Sequence, residues 1–237
     1  MLRGIINSIG AAVTGAGGTG TLYIDKDADN YGIGENLTFF STADNNIAIG
    51  ANALISTAGD ADHNIAIGTN ALTSFSLTTG GENIAIGSYS LDAADGGESQ
   101  NIAFGYAAMS AVNCDGADDN ICIGYNAGLG GSHTTQSLVA CIAIGSNALN
   151  STTTNTVSGA VAIGHNALTA LSDGAGNTAI GYQAMTLTQG GGQNTVIGHN
   201  AAYRMRAGSD NNTVMGTEAF SGIHANTDTQ DVVAIGY

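Results

Sequence analysis

One short phrase, Asn-Ile-Ala-Ile-Gly-x-Asn-Ala-Leu, returns along nearly the whole of this chain. Its glycines are Gly50, Gly68, Gly87, Gly105, Gly124, Gly145, Gly164, Gly181, Gly198, Gly216 and Gly236, separated by 17 to 21 residues and by about 18.6 on average. A degenerate copy, Asn30-Tyr-Gly-Ile-Gly34-Glu-Asn-Leu37, precedes them and brings the count to twelve. Self-similarity at a near-constant period is the signature of a stacked repeat architecture. A unit of about 19 residues cannot bury its own apolar face, but neighbouring units stacked on it can.

The phrase itself reads as a strand. An apolar residue stands one position before each glycine (Ile49, Ile67, Ile86, Phe104, Ile123) and another apolar or β-branched one three before it (Ile47, Ile65, Ile84, Ile102, Ile121). A spacing of two puts both on one face of a strand. The other face carries Asn and then a small residue, usually Ala, and is expected to sit at a packed chain–chain contact, so that both faces are buried. After the glycine, Asn tolerates the backbone of a bend, and the Leu two residues later (Leu54, Leu149, Leu168) is expected to turn back into the core. The asparagines before the strand (Asn46, Asn64, Asn83, Asn101, Asn120, Asn177, Asn194, Asn212) are placed to stack as a hydrogen-bonded ladder. Between phrases lie Gly, Ser, Thr, Asp and Asn, which read as loops on one side of the stack.

Composition agrees. The 36 glycines, 5 phenylalanines and absence of tryptophan and proline in 237 residues suit close-approaching strands better than a wide core. The fold class expected is all-β, a parallel β-roll or β-solenoid of about 11–12 rungs. At ~4.8 Å per rung it would be on the order of 50 Å long.

Charge excludes partners. Four cations (Arg3, Lys26, Arg204, Arg206) face 19 acidic residues, a formal net charge of −15. No basic cluster exists to displace counterions from nucleic acid or to meet an anionic membrane. No apolar run approaches the ~20 residues of a membrane span. The first 16 residues resemble a signal peptide weakly, with Asn7, Ser8 and Gly10 interrupting the apolar stretch.

Candidate chemistry is sparse. Of the five histidines (His63, His133, His165, His199, His224), His165 and His199 fill the slot after the repeat glycine, which elsewhere holds Ala, Thr, Ser or Tyr; that is a surface position. The acidic loops Asp25-Lys-Asp-Ala-Asp-Asn30, Asp60-Ala-Asp62 and Asp115-Gly-Ala-Asp-Asp119 fit no calcium-loop template and read as solvated. Cys114, Cys122 and Cys141 lack metal-finger spacing, and Cys122 takes an Ala slot as a small buried residue. Left-handed β-helix acyltransferases show similar fragments, but their signal would occur three times per coil and here it occurs once. An ice-binding solenoid would need a regular Thr-x-Thr array, and the threonines here are irregular. No catalytic, cofactor-binding or metal-ligating set is assigned, and the chain is read as no enzyme.

Three segments are expected. Residues 1–20 form an N-terminal attachment segment, and residues 21–45 a capping strand and degenerate first rung in which Phe39 and Phe40 close the roll. Residues 46–237 are the repetitive β-roll.

The unit resembles the head repeat of trimeric autotransporter adhesins. It is more similar still to repeats of bacteriophage tail fibres and related virion proteins, most clearly in Asn177-Thr-Ala-Ile-Gly-Tyr-Gln-Ala-Met185 and Asn194-Thr-Val-Ile-Gly-His-Asn-Ala201. The resemblance covers about residues 30–237. It implies a β-roll in which three chains associate side by side. The rungs are longer than in adhesin heads, and neither a coiled-coil stalk nor a membrane barrel is present, which favours the virion. The function then expected is a trimeric fibre or spike on the virion surface, joined to other virion proteins through residues 1–20 and serving host attachment. Loops such as Gly128–Gln136 would meet a host-surface glycan or protein. The alternatives are a capsid decoration protein and the head of a cellular trimeric adhesin on a bacterial surface.

Overall fold

A computed structural model describes residues 11–15, 18–25, 29–37, 43–55, 62–73, 81–93, 97–112, 116–130, 138–150, 157–222 and 228–237. In chain order the strands are β1 (Ala11–Gly15), β2 (Gly18–Asp25), β3 (Asn30–Gly34), β4 (Ile47–Ile49), β5 (Ile65–Ile67), β6 (Ile84–Ile86), β7 (Ile102–Phe104) and β8 (Ile121–Ile123). There follow β9 (Leu138–Val139), β10 (Ile142–Ile144), β11 (Val157–Ser158), β12 (Val161–Ile163), β13 (Thr178–Ile180), β14 (Thr195–Ile197), β15 (Thr213–Met215) and β16 (Val233–Ile235). All but β9 and β11 join one sheet of 14 strands in sequence order, and those two pair in parallel as a second, smaller sheet. The fold is the all-β parallel roll expected from the repeat.

From β3 onward each strand of the large sheet lies parallel to its neighbours in that sheet, with equivalent repeat positions in register: Ile47 beside Ile65, Ala48 beside Ala66, Ile49 beside Ile67. The first three strands differ. β1 pairs antiparallel with β2, and β2 antiparallel with β3, so the described start of the sheet is an antiparallel meander. β2 runs across the 20/21 boundary drawn from the sequence. Phe39 and Phe40 lie outside the described residues.

Glycine is required in its column by contact between rungs. Gly50 has φ 134°, and a β-carbon there would lie 2.5 Å from the carbonyl oxygen of Gly68. Both the backbone angle and the neighbouring chain reject a side chain. Beyond the glycine the chain turns through left-handed residues, Asn52 (φ 56°) and Leu54 (φ 49°), a pairing repeated at Asn70 and Leu72 and at Asn166 and Leu168. Leucine rarely adopts that conformation. It is held here because the Leu54 N–H donates to the carbonyl of Ala71 one rung on, as that of Leu72 does to Ser90. The turn then carries the side chain inside, where Leu54, Leu72, Leu91, Leu149 and Leu168 are all buried. Each burial is worth about 1.5–3 kcal/mol.

One expectation is overturned. The Asn/Ala face is no chain–chain contact: it lines the interior of the single roll. Ala48, Ala66, Ala85, Ala103, Ala143 and Ala162 are wholly inaccessible and pack in the same core as the leucines. The short rung leaves so narrow an interior that only small residues fit opposite the leucines. The isoleucines consequently face outward, so the two faces of the strand are not both buried within one chain.

The asparagine ladder forms, and it starts one rung earlier than expected, at Asn30. Each Oδ1 accepts both the backbone N–H and the Nδ2–H of the next rung's asparagine: Asn46 from Asn64 at 2.8 and 3.2 Å, Asn101 from Asn120 at 3.1 and 2.9 Å. The Nδ2 also reaches a carbonyl of the segment that leads into the next rung, as from Asn101 to Ala117 at 2.7 Å. The series stops at Asn120, whose Oδ1 accepts only the N–H of Cys141, and resumes at Asn177. In the gap stand Cys141 and Ala160, and there β9 and β11 supply the extra pairing.

Candidate functional site

The outward sheet face is the feature that the roll leaves unsatisfied. Ile49, Phe104, Ile123, Ile197 and Met215 are exposed there, Phe104 to 51%, and Ile67, Ile86, Ile144 and Ile163 at the same position of β5, β6, β10 and β12 are half-buried. The column repeats once per rung. A continuous exposed apolar strip marks an interaction surface.

Beside this column lie two stacks of aromatic rings, in the slot after the glycine except for Tyr89, which stands one residue further on. Tyr106 and Tyr125 stack with centroids 5.6 Å apart, and Tyr89 meets Tyr106 edge-on at 5.7 Å. Further along, Tyr182 is sandwiched between His165 at 5.5 Å and His199 at 5.1 Å. The separations follow the rung spacing, so identical slots in successive rungs bring the rings face to face. The surface placement expected of His165 and His199 holds. Sequence reading had not foreseen their stacking; its signal was the residue after each glycine.

Other candidates from the sequence do not converge. His63 is exposed, with a ring nitrogen 3.4 Å from Asn45 Nδ2. Asp62 and Asp118 each accept a backbone N–H of the preceding rung, from Asp44 at 2.7 Å and Ser99 at 2.8 Å, and so act as loop clips. Among the described residues no group of three or more His, Cys, Asp or Glu is placed to hold a metal ion. His133, His224, Cys114, Asp27, Asp60, Asp115 and residues 131–136 of the 128–136 loop lie outside the described residues.

Cys122 and Cys141 are buried free thiols in adjacent rungs. Burial pushes both thiols up, and for Cys122 the nearness of Cys141 adds to the effect. A thiol held protonated is a poor nucleophile, so neither suits covalent chemistry. The Cys141 Sγ lies 3.4 Å from the carbonyls of Val139 and Val157, in the slot of a ladder asparagine.

Comparison with protein-family models, curated proteins and solved structures finds no match.

On the loop side of the C-terminal rungs, a groove of about 480 Å³ opens between Asp173, Gly190 and Asp210, and a recess of about 270 Å³ adjoins it at Gln189 and Ala207.

Proposed function

We propose that this chain is a structural protein whose copies associate side by side, three together, into a rigid rod on a virion surface, where it serves as a fibre or spike in host attachment. The observation that carries the association is the outward apolar column of Ile49, Phe104, Ile123, Ile197 and Met215. Its residues recur at the ~4.8 Å rung spacing. A surface with that period is matched along its length by another with the same period, and a second copy of the chain has one.

Burial of the column would remove exposed isoleucine and phenylalanine from water at about 25 cal/mol per Å². The net charge of −15 stays on the loops and turns, where it keeps assembled rods apart in solution. The resemblance of the repeat to phage tail-fibre and virion units supports the location. Capsid decoration uses the same architecture in higher copy number, and a cellular adhesin head presents it from a bacterium.

Light scattering on the purified chain is the deciding experiment. A molar mass of three chains is expected, and a monomer at micromolar concentration removes the side-by-side reading. Stoichiometry on purified particles then separates fibre, at a few copies, from decoration, at many.

A further inference from the structure

We infer that Tyr106 and Tyr125 form a site of oxidative cross-linking, at which a one-electron oxidant of the peroxidase class joins the two rings into a dityrosine bridge between adjacent rungs. The inference concerns the single roll and stands whether or not copies associate.

Coupling needs two phenol rings held close together with their edges free. Tyr106 and Tyr125 occupy the same slot of successive rungs, on strands paired in register through Phe104 and Ile123. Their rings stack 5.6 Å apart with 10° between the planes. Equivalent backbone positions turn the same ring edge outward in both, and the two residues are 51% and 52% exposed. Among the described residues no other pair of tyrosines stacks in this way. Tyr89 meets Tyr106 edge-on, at 64°, from a different slot, and Tyr182 has a histidine on each face. Thiols compete for oxidants where they are accessible. Cys122 and Cys141, in the nearest rungs, are wholly buried.

In the coupling each phenol gives up one electron and its hydroxyl proton and becomes a neutral radical, with the unpaired electron shared between the oxygen and the ortho carbons. The two radicals combine in a single ortho-to-ortho carbon–carbon bond. The hydrogen on each joined carbon then moves to the oxygen of its own ring, which restores both phenols. Two hydrogens leave per bridge, and one molecule of hydrogen peroxide takes them up as it is reduced to two of water.

The position of the bridge gives it a mechanical role. Tyr125 belongs to the rung in which the asparagine ladder stops, at Asn120, and in which Gly128 stands where neighbouring rungs carry leucine or methionine. A bond to Tyr106 ties that irregular rung to a regular neighbour. A cross-link that closes a short loop also constrains the unfolded chain, in the manner of a disulfide.

The test is to treat the full chain with a peroxidase and hydrogen peroxide and to map the products by peptide mass spectrometry. Dityrosine fluorescence is expected, together with a chain lighter by two hydrogens that still runs as a single chain in a denaturing gel, and a linked peptide pair containing Tyr106 and Tyr125. Tyr106→Phe and Tyr125→Phe keep the ring and remove the hydroxyl, so each should abolish that product, whereas Tyr182→Phe should leave its yield unchanged. The same treatment of the chain unfolded in urea should lose the preference for this pair. No dityrosine, a bridge mapped to other tyrosines, a bridge only between chains, or a yield indifferent to both Phe variants would overturn the inference.

Discussion

The Sγ of Cys122 stands where a β-carbon on Gly128 would have to go, and the Cδ1 of Leu138 is 3.5 Å from the same point. In neighbouring rungs the first slot holds Ala and the second Leu or Met, as in Ala103 with Met109 and Ala143 with Leu149. The rung of Gly124 has exchanged a small residue for a larger one and emptied the opposing slot. The φ of Gly128, 56°, matches the 49–51° at which Leu54, Leu72 and Leu168 sit, so backbone strain does not exclude leucine. Overpacking does. Gly128→Leu should cost about 1–3 kcal/mol in denaturant unfolding. Adding Cys122→Ala should recover part of that loss, a coupling of about 1 kcal/mol. Additive effects would show that the two slots do not share one space.

The asparagine ladder gives a second, graded prediction. Besides the bond that its carbonyl accepts from the Ile84 N–H, Asn101 makes five: it donates three, to Asn83 Oδ1 from its backbone and side chain and to Ala117, and accepts two from Asn120. Asn120 makes the same set less one, because Cys141 offers only a backbone N–H. Asn101→Ala strands buried donors and acceptors and should cost about 1–3 kcal/mol. Asn120→Ala should cost measurably less. Equal losses in chemical denaturation would mean that the side-chain rail between asparagines adds nothing to the backbone contacts.

Much of this structure was legible because the constraint recurs. The Ile-x-Ile-Gly spacing identifies the strand, the period identifies stacking, and the asparagine column could be read without coordinates. Which strand face looks inward could not. Alternation divides Ile47 and Ile49 from Ala48, but the side that is core depends on how tightly the rung closes, and that is set by the left-handed turns at Asn52 and Leu54. Apolar bulk favoured an inward isoleucine; the narrow interior favoured alanine and won. The antiparallel start escaped notice because β1 and β2 carry no repeat phrase. The groove escaped because its lining, from Asp173, Gly190 and Asp210, is brought together only by the stacking of three rungs.

Asp92 makes stability depend on pH. Burial raises its carboxyl from 3.8 to about 6, partly offset by a backbone hydrogen bond. Below pH 3.8 the group is protonated folded or unfolded, and its contribution is fully present. Between 3.8 and about 6 the unfolded chain ionises while the folded one still holds its proton, so stability falls as pH rises. Above 6 the loss is complete. Asp92 is only half-buried, so solvent screening reduces the effect to about 1 kcal/mol. Asp92→Asn should therefore stabilise the protein at pH 7 by about that amount and leave it unchanged near pH 3.5. A gain of the same size at both pH values would assign it to packing and not to the proton.

The outward column separates folding from association. Phe104 and Ile123 are paired on adjacent strands, and in the single roll they are 51% and 37% exposed. Replacing either removes little that the isolated chain buries, so Phe104→Asp or Ile123→Asp should change unfolding of the roll by no more than about 0.5 kcal/mol. Between copies the same carboxylate would be desolvated without a partner, at a cost of several kcal/mol. Light scattering should then show the mass fall from three chains to one while circular dichroism stays that of the parent. The interior offers the control: Ala103→Asp, between Ile102 and Phe104, puts its carboxylate inside the roll and should unfold it. If the outward variants keep the assembled mass, the isoleucine column is not the surface through which the copies meet.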